Sequence, residues 1–205
     1  MTFEEHVRER IQAAIRSISV DDRADVYVVS LFVYDENDDP RAPTVTIGFN
    51  TEAAVTAAME GEPDDFAWGT PSDEDEARWN FAFWLQNELD VIAEPAGDPA
   101  GHFRRASWIK ELGLDYSDED EENDFDAATG KGEQITAAFV ELLVKLTREL
   151  HETGILTEVF GRPVPVLIHE LEYYDEIADQ NRRANPPGLI EPFATWVEAA
   201  GLELG

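Results

Sequence analysis

Nine consecutive residues, Val26 to Tyr34, read Val-Tyr-Val-Val-Ser-Leu-Phe-Val-Tyr. A strand that is β-branched or aromatic on both faces has to be covered on both, so this run predicts a central strand in a layered fold. After the turn-rich, acidic stretch Asp35 to Pro43, residues Thr44 to Phe49 alternate Val45, Ile47 and Phe49 with Thr44, Thr46 and Gly48. That is the pattern of a half-buried strand, and the two runs form a hairpin with a long loop. Covering such a hairpin takes apolar material, and 205 residues at 43% hydrophobic content supply it.

The cover is helical. Phe3, Val7, Ile11, Ile15 and Ile18 make one apolar stripe from Thr2 to about Ser19, and Thr2 with Glu5 reads as a capping box. Asn50 or Thr51 can cap a short helix from Glu52 to about Glu60. A loop from Gly61 to Asp73 then carries Phe66 and Trp68, and Ser72 with Asp75 forms a second capping-box signature. The aromatic run Arg78 to Leu85 predicts a helix to Leu89 or Ile92, with a strand over Trp79 to Phe83 as the alternative. His102 to Leu112 reads as a short helix. The element with the strongest periodicity follows Gly132, where Ile135, Phe139, Leu142, Leu146 and Leu150 line one face. Ile155 to Phe160 and Val164 to Leu171 are expected as two further strands, followed by a polar helix from Tyr173 to about Ala184 and a last one from Pro192 to Gly201.

Strands therefore fall into two pairs far apart in sequence. The fold class expected is α+β, one antiparallel sheet of about four strands with helices packed on its faces, and the whole chain, 1–205, is read as one domain. Asp115 to Asp126 holds eight acids among twelve residues. Such a block repels itself, which predicts a mobile acidic loop at 115–127.

Charge limits function more than it limits fold. Against 45 Asp and Glu stand 15 Lys and Arg, a formal net charge of -30. A nucleic-acid or anionic-membrane partner needs a basic patch, so neither is expected. No stretch approaches the roughly 18 to 20 apolar residues that span a bilayer. The acidic start Met1-Thr2-Phe3-Glu4-Glu5 is unlike a signal peptide, so the expected location is cytoplasmic. Cysteine is absent, which removes disulfides, thiol nucleophiles and Cys-ligated zinc.

Chemical motifs are sparse. His6 reads as an exposed residue of the first helix and His151 as a favourable cation at the end of the long one. His169-Glu170-Leu171-Glu172 invites a metal reading, but successive strand residues point to opposite faces, and a hydrogen-bonded strand-end histidine explains the motif better. The run from Asp118 has alternating acids suited to calcium, yet Asn123 stands where the turn needs glycine and Thr129 where a bidentate Glu is needed. Ser30 and Ser107 lack a nucleophile-elbow context. Gly130-Lys131-Gly132 is no phosphate loop and reads as a flexible hinge. Arg104-Arg105 and Arg182-Arg183 are basic islands expected to pair with the chain's own acids. No metal, no cofactor and no catalytic residue is nominated.

Gly48-Phe49-Asn50-Thr51-Glu52 leading into a helix, Arg78-Trp79 opening an aromatic segment, a long amphipathic helix, and a late Asn185-Pro186 together resemble the bacterial family called domain of unknown function 4303. The resemblance implies a compact bacterial α+β domain and no activity to carry over. A looser likeness is to immunity proteins of bacterial toxin systems, which are often small, acidic and cysteine-poor.

The functional expectation is a non-enzymatic acidic binding protein, an immunity or regulatory protein that covers a basic partner protein. Its contact residues are expected to be Trp68, with aromatic anchoring area, and Asp118, Glu119, Asp120, Glu121 and Glu122, with steering charge. Two alternatives stay open: acidity as halophilic or solvent adaptation, for which twelve Arg and three Lys speak, and an enzyme whose carboxylates are hidden among the acids.

Overall fold

The computed structural model describes residues 1–61, 69–171, 173 and 175–203. Its chain order begins with α1 (Phe3–Ser17), the short α2 (Val20–Arg23) and the hairpin β1 (Val26–Asp35) and β2 (Pro43–Thr51). Next come α3 (Glu52–Glu60), α4 (Glu74–Trp79), β3 (Asp90–Ile92), α5 (Pro99–Glu111), α6 (Asp118–Asn123) and the 28-residue α7 (Phe125–Glu152). The described chain closes with α8 (Ile155–Phe160), β4 (Val166–His169), α9 (Asp175–Ala184) and α10 (Glu191–Glu203).

Four strands form one sheet in the order β3-β2-β1-β4. β1 is central, as its two-sided apolar run requires. The sheet is mixed rather than antiparallel, because β4 pairs parallel to β1, with Val29 opposite Val166 and Phe32 opposite His169. The long helix is the cause. Thr136 of α7 lies beside Asp35 at the carboxyl end of β1, whereas His151, near the other end of α7, bonds Asn185, which in turn bonds Val166 at the start of β4. α7 thus carries the chain back along β1, and β4 has to run in the same direction as β1.

Helices cover both faces. Val29, Leu31, Val33, Val45, Ile47, Val166 and Ile168 join Ile11, Ile15, Phe139, Leu143 and Leu146 in one buried cluster. On the opposite side Tyr27, Val28 and Leu167 pack with Trp79, Phe83, Trp84, Ile177, Phe193 and Val197.

Five local expectations are corrected. Ile155–Phe160 is helical rather than a strand: Gly154 turns the chain at φ 76°, and Ile155, Leu156, Val159 and Phe160 then share one buried helical face. The aromatic run is not one helix, because Asn80 takes extended backbone after α4 and accepts the Ala82 N–H to start a separate 3-10 turn over Phe81–Phe83. Cap assignment shifts too, from Ser72 with Asp75 to Asp73 with Glu76. The acidic block is no loop over its length: Asp118–Asn123 is α6, started by a capping box of Ser117 and Asp120, and its first-turn acids sit where the helix dipole favours them. Gly130 and Gly132 lie inside α7 instead of forming a hinge before it.

Side-chain amides close the β4 edge and the part of β2 that β3 leaves unpaired. Asn181 accepts from the Ile168 N–H at 2.8 Å and donates to the Ile168 carbonyl at 2.7 Å, and Asn185 does the same to Val166 at 2.9 Å each. Four residues of helix rise about 6 Å, and two residues of strand span about 6.6 Å. Asn181 on α9 and Asn185, the residue just past its end whose N–H still bonds the Asn181 carbonyl, therefore match Ile168 and Val166 on β4 in step. On the other side, where β2 runs past its pairing with β3, Asn87 accepts from the Phe49 N–H and donates to the Phe49 carbonyl, both at 2.9 Å. Gly48 makes room for that segment, since a Cβ there would meet the Asn87 carbonyl at 2.7 Å.

Candidate functional site

Parallel strands ending side by side leave a crevice outside their carboxyl ends, a common place for ligands. β1 ends at Asp35, and Glu170 follows His169 at the end of β4. These two carboxylates stand at the head of a groove of about 900 Å³ bounded by the Glu36–Asp38 turn, α6, the first half of α7 and α9. Eight of its eighteen lining residues are Asp or Glu, and among them only Arg183 is basic. Apolar surface comes from Phe125, Ala137 and Val140.

Local backbone choices build this wall. Asn37 and Asp38 both adopt positive φ, 57° and 58°, a region Asn and Asp enter more readily than other non-glycine residues. The following Pro40 packs against Gly132 so closely that a Cβ on the glycine would lie 2.8 Å from it. Arg41 ties the rim together, holding Asp39 and Asp118 at 2.8 and 2.6 Å while lying over the Tyr116 ring.

Asp35 is the perturbed group. Burial first, then the nearby Glu170 and Asp39 carboxylates, push its pKa up to about 6, with Arg105 opposing. Its Oδ1 is shut off from solvent and has no hydrogen-bond partner. From Asp35 and Glu170 the groove continues into a space of about 300 Å³ lined by Phe32, Tyr34 and Leu171. A further 180 Å³ follows against Phe32, Tyr34, Phe81 and Gln86. Phe32 stacks on both Tyr34 and Phe81, at 5.6 and 5.0 Å.

Histidines elsewhere are structural. His169 is fully buried, donates from Nδ1 to the Glu170 carbonyl and accepts at Nε2 from Ser30 Oγ at 2.8 Å. Burial lowers its pKa to about 4, so it is neutral at pH 7. With both ring nitrogens occupied and Phe32, Phe81, Trp84 and Tyr173 around the ring, it offers no metal position and no base to an outside substrate. His6, read as exposed, is instead buried and lies 2.8 Å from Asp98, the cap of α5. Burial works against the Asp98 carboxylate, but N–H groups of Ala93 and Gly101 and the His6 ring outweigh it and bring its pKa below the usual range. Arg182 and Arg183 do pair with the chain's own acids, Glu191, Glu198 and Glu141. Arg105 departs from that pattern: it is 2% exposed and donates to the Pro43 and Ala93 carbonyls and to His102.

The nominated contact residues are only partly brought together. Glu121 lines the groove. Asp118 is engaged by Arg41, Asp120 serves the cap of α6, and Glu119 and Glu122 are exposed on α6. Trp68 lies outside the described residues. Sequence reasoning passed over Asp35, Asp38, Glu133 and Asp179, which line the groove. Two of the signals were present, an acid directly after each of two apolar strand runs; the pairing that sets those ends side by side was not. No protein-family model matches the chain, and no curated protein or solved structure is significantly similar to it. Among the described residues, no helix is long and apolar enough to cross a membrane.

Proposed function

We propose that the chain is a non-enzymatic acidic binding protein, in the manner of an immunity or regulatory protein, and that it receives a basic region of a partner protein in the groove at the carboxyl ends of β1 and β4. One observation carries the reading: eight carboxylates converge on one concave surface with a single arginine among them. Low-dielectric walls lined by one sign of charge focus the field, which speeds the approach of an oppositely charged partner. Solvent adaptation calls for acids spread over the surface and gives no reason for this convergence.

The test compares two variants of equal charge. In the first, Asp38, Glu121, Glu133 and Asp179 are changed to their amides; in the second, the exposed Glu9, Asp21, Glu60 and Glu111 are. Association with a lysine-rich synthetic peptide is followed by stopped flow over a range of salt. The groove variant should associate about tenfold more slowly at low salt and with a shallower salt dependence, and the control should follow the parent chain. Equal slowing in both would mean that net charge acts and the groove does not.

A further inference from the structure

The groove changes character as it passes over the end of β1. On the α7 side Asp35 and Glu170 stand among further carboxylates, and on the other side Phe32, Tyr34 and Leu171 present an apolar wall. The two parts share Asp35, Thr136 and Glu170, so they are one continuous surface. Leu171 is 75% exposed, and Phe125 on the acidic side is 66% exposed, each large and apolar beside charge. Asp35 is half-buried beside Glu170 where the two parts join, and a partly desolvated carboxylate gains more from a cation than an exposed one does. A uniformly basic ligand would satisfy the acids and leave the apolar wall uncovered.

We propose, resting on the binding reading above, that the occupant is an extended segment of a partner protein in which a Lys or Arg side chain seats between Asp35 and Glu170 while an adjacent large apolar side chain lies against Phe32, Tyr34 and Leu171. Charge complementarity fixes the first position and the apolar wall the second. An extended backbone suits the passage because it places neighbouring side chains on opposite sides, as the two halves of the groove require. Specificity then comes from the pair: the cation steers and the apolar residue holds, slowing dissociation.

Two fluorescein-labelled synthetic peptides of equal charge test this by polarisation against the full chain. One alternates lysine with glycine, and the other has phenylalanine in place of the glycine next to the central lysine. The phenylalanine peptide should bind about tenfold more tightly. Leu171→Ser, at an exposed position, should abolish that advantage, with an unaltered melting temperature as the check on folding. Asp35→Asn should weaken both peptides at least tenfold. Equal binding of the two peptides by the parent chain would overturn the paired recognition and leave the acidic groove standing. Binding of neither would overturn both, and undiminished binding to Asp35→Asn would remove the cation from its seat.

Discussion

On the side of the sheet that faces α1 and α7, cover comes mostly from aliphatic side chains, joined by Phe3, Phe139 and Phe160, and the stripe of α7 among them keeps a helical spacing. On the side that faces α4, α9 and α10, rings replace aliphatic chains and polar groups are buried among them. Tyr27 meets Trp79 and Trp84 edge to face, Asn50 donates to the Tyr27 hydroxyl, and the Phe81 N–H donates to the Tyr173 hydroxyl. The first side tolerates approximate packing, since dispersion and burial are non-directional. The second depends on its donors finding acceptors, with the buried Trp79 Nε1 as an exception, because an unpartnered buried polar group costs as much as a lost core contact.

Three measurements sharpen that contrast. Phe139→Ala should have the largest effect, about 4 kcal/mol by urea unfolding, because Phe139 is fully buried in the aliphatic cluster. A cost near 1 kcal/mol would show that this side can collapse around a cavity. Asn181→Leu keeps the branching and heavy-atom count but strands the Ile168 N–H, and should cost about 3 kcal/mol, with faster hydrogen exchange at the Ile168 amide. A neutral result would deny the amides their place in closing the edge. The smallest effect is on pH. His169 folds with its pKa lowered to about 4, so the unfolded chain binds the extra proton, and stability falls as pH drops from the unfolded value near 6.5 toward 4. Between pH 6.5 and 5 this amounts to about 2 kcal/mol. Asp35 acts in the opposite sense, because its folded pKa of about 6 makes the folded chain bind the proton more tightly, so its stabilisation at low pH is lost as pH rises through 6. Partial solvation makes that share smaller. His169→Gln should therefore flatten the loss on acidification and Asp35→Asn should steepen it. Parallel curves for both variants would break the assignment.

The same contrast governs what could be read in advance. β1, β2 and the stripe of α7 follow from periodicity and the cap of α1 from its Thr2–Glu5 spacing; all appear, the strands with bounds shifted by a residue or two and α7 beginning at Phe125, two turns before the expected start after Gly132. The aromatic run and the Ile155–Phe160 segment do not, because their conformation is chosen by partners distant in sequence: Trp84 Nε1 bonds the Arg78 carbonyl, and Ile155, Leu156 and Phe160 join the cluster under β1. Of the candidate site, α6 supplies the nominated acids, yet one is spent on a cap and another on Arg41.

By itself the sequence determined the central strand, its hairpin partner, the helical cover and the large negative charge, since each depends on residues close together in the chain or on a sum over all of them. Tertiary structure alone decided the direction of β4, the match of Asn181 and Asn185 to its edge, and the meeting of Asp35 with Glu170. Those three share a cause. The length and course of α7 set which strand ends lie side by side, and a carboxylate's environment, unlike a helix's periodicity, is fixed by what stands across the gap.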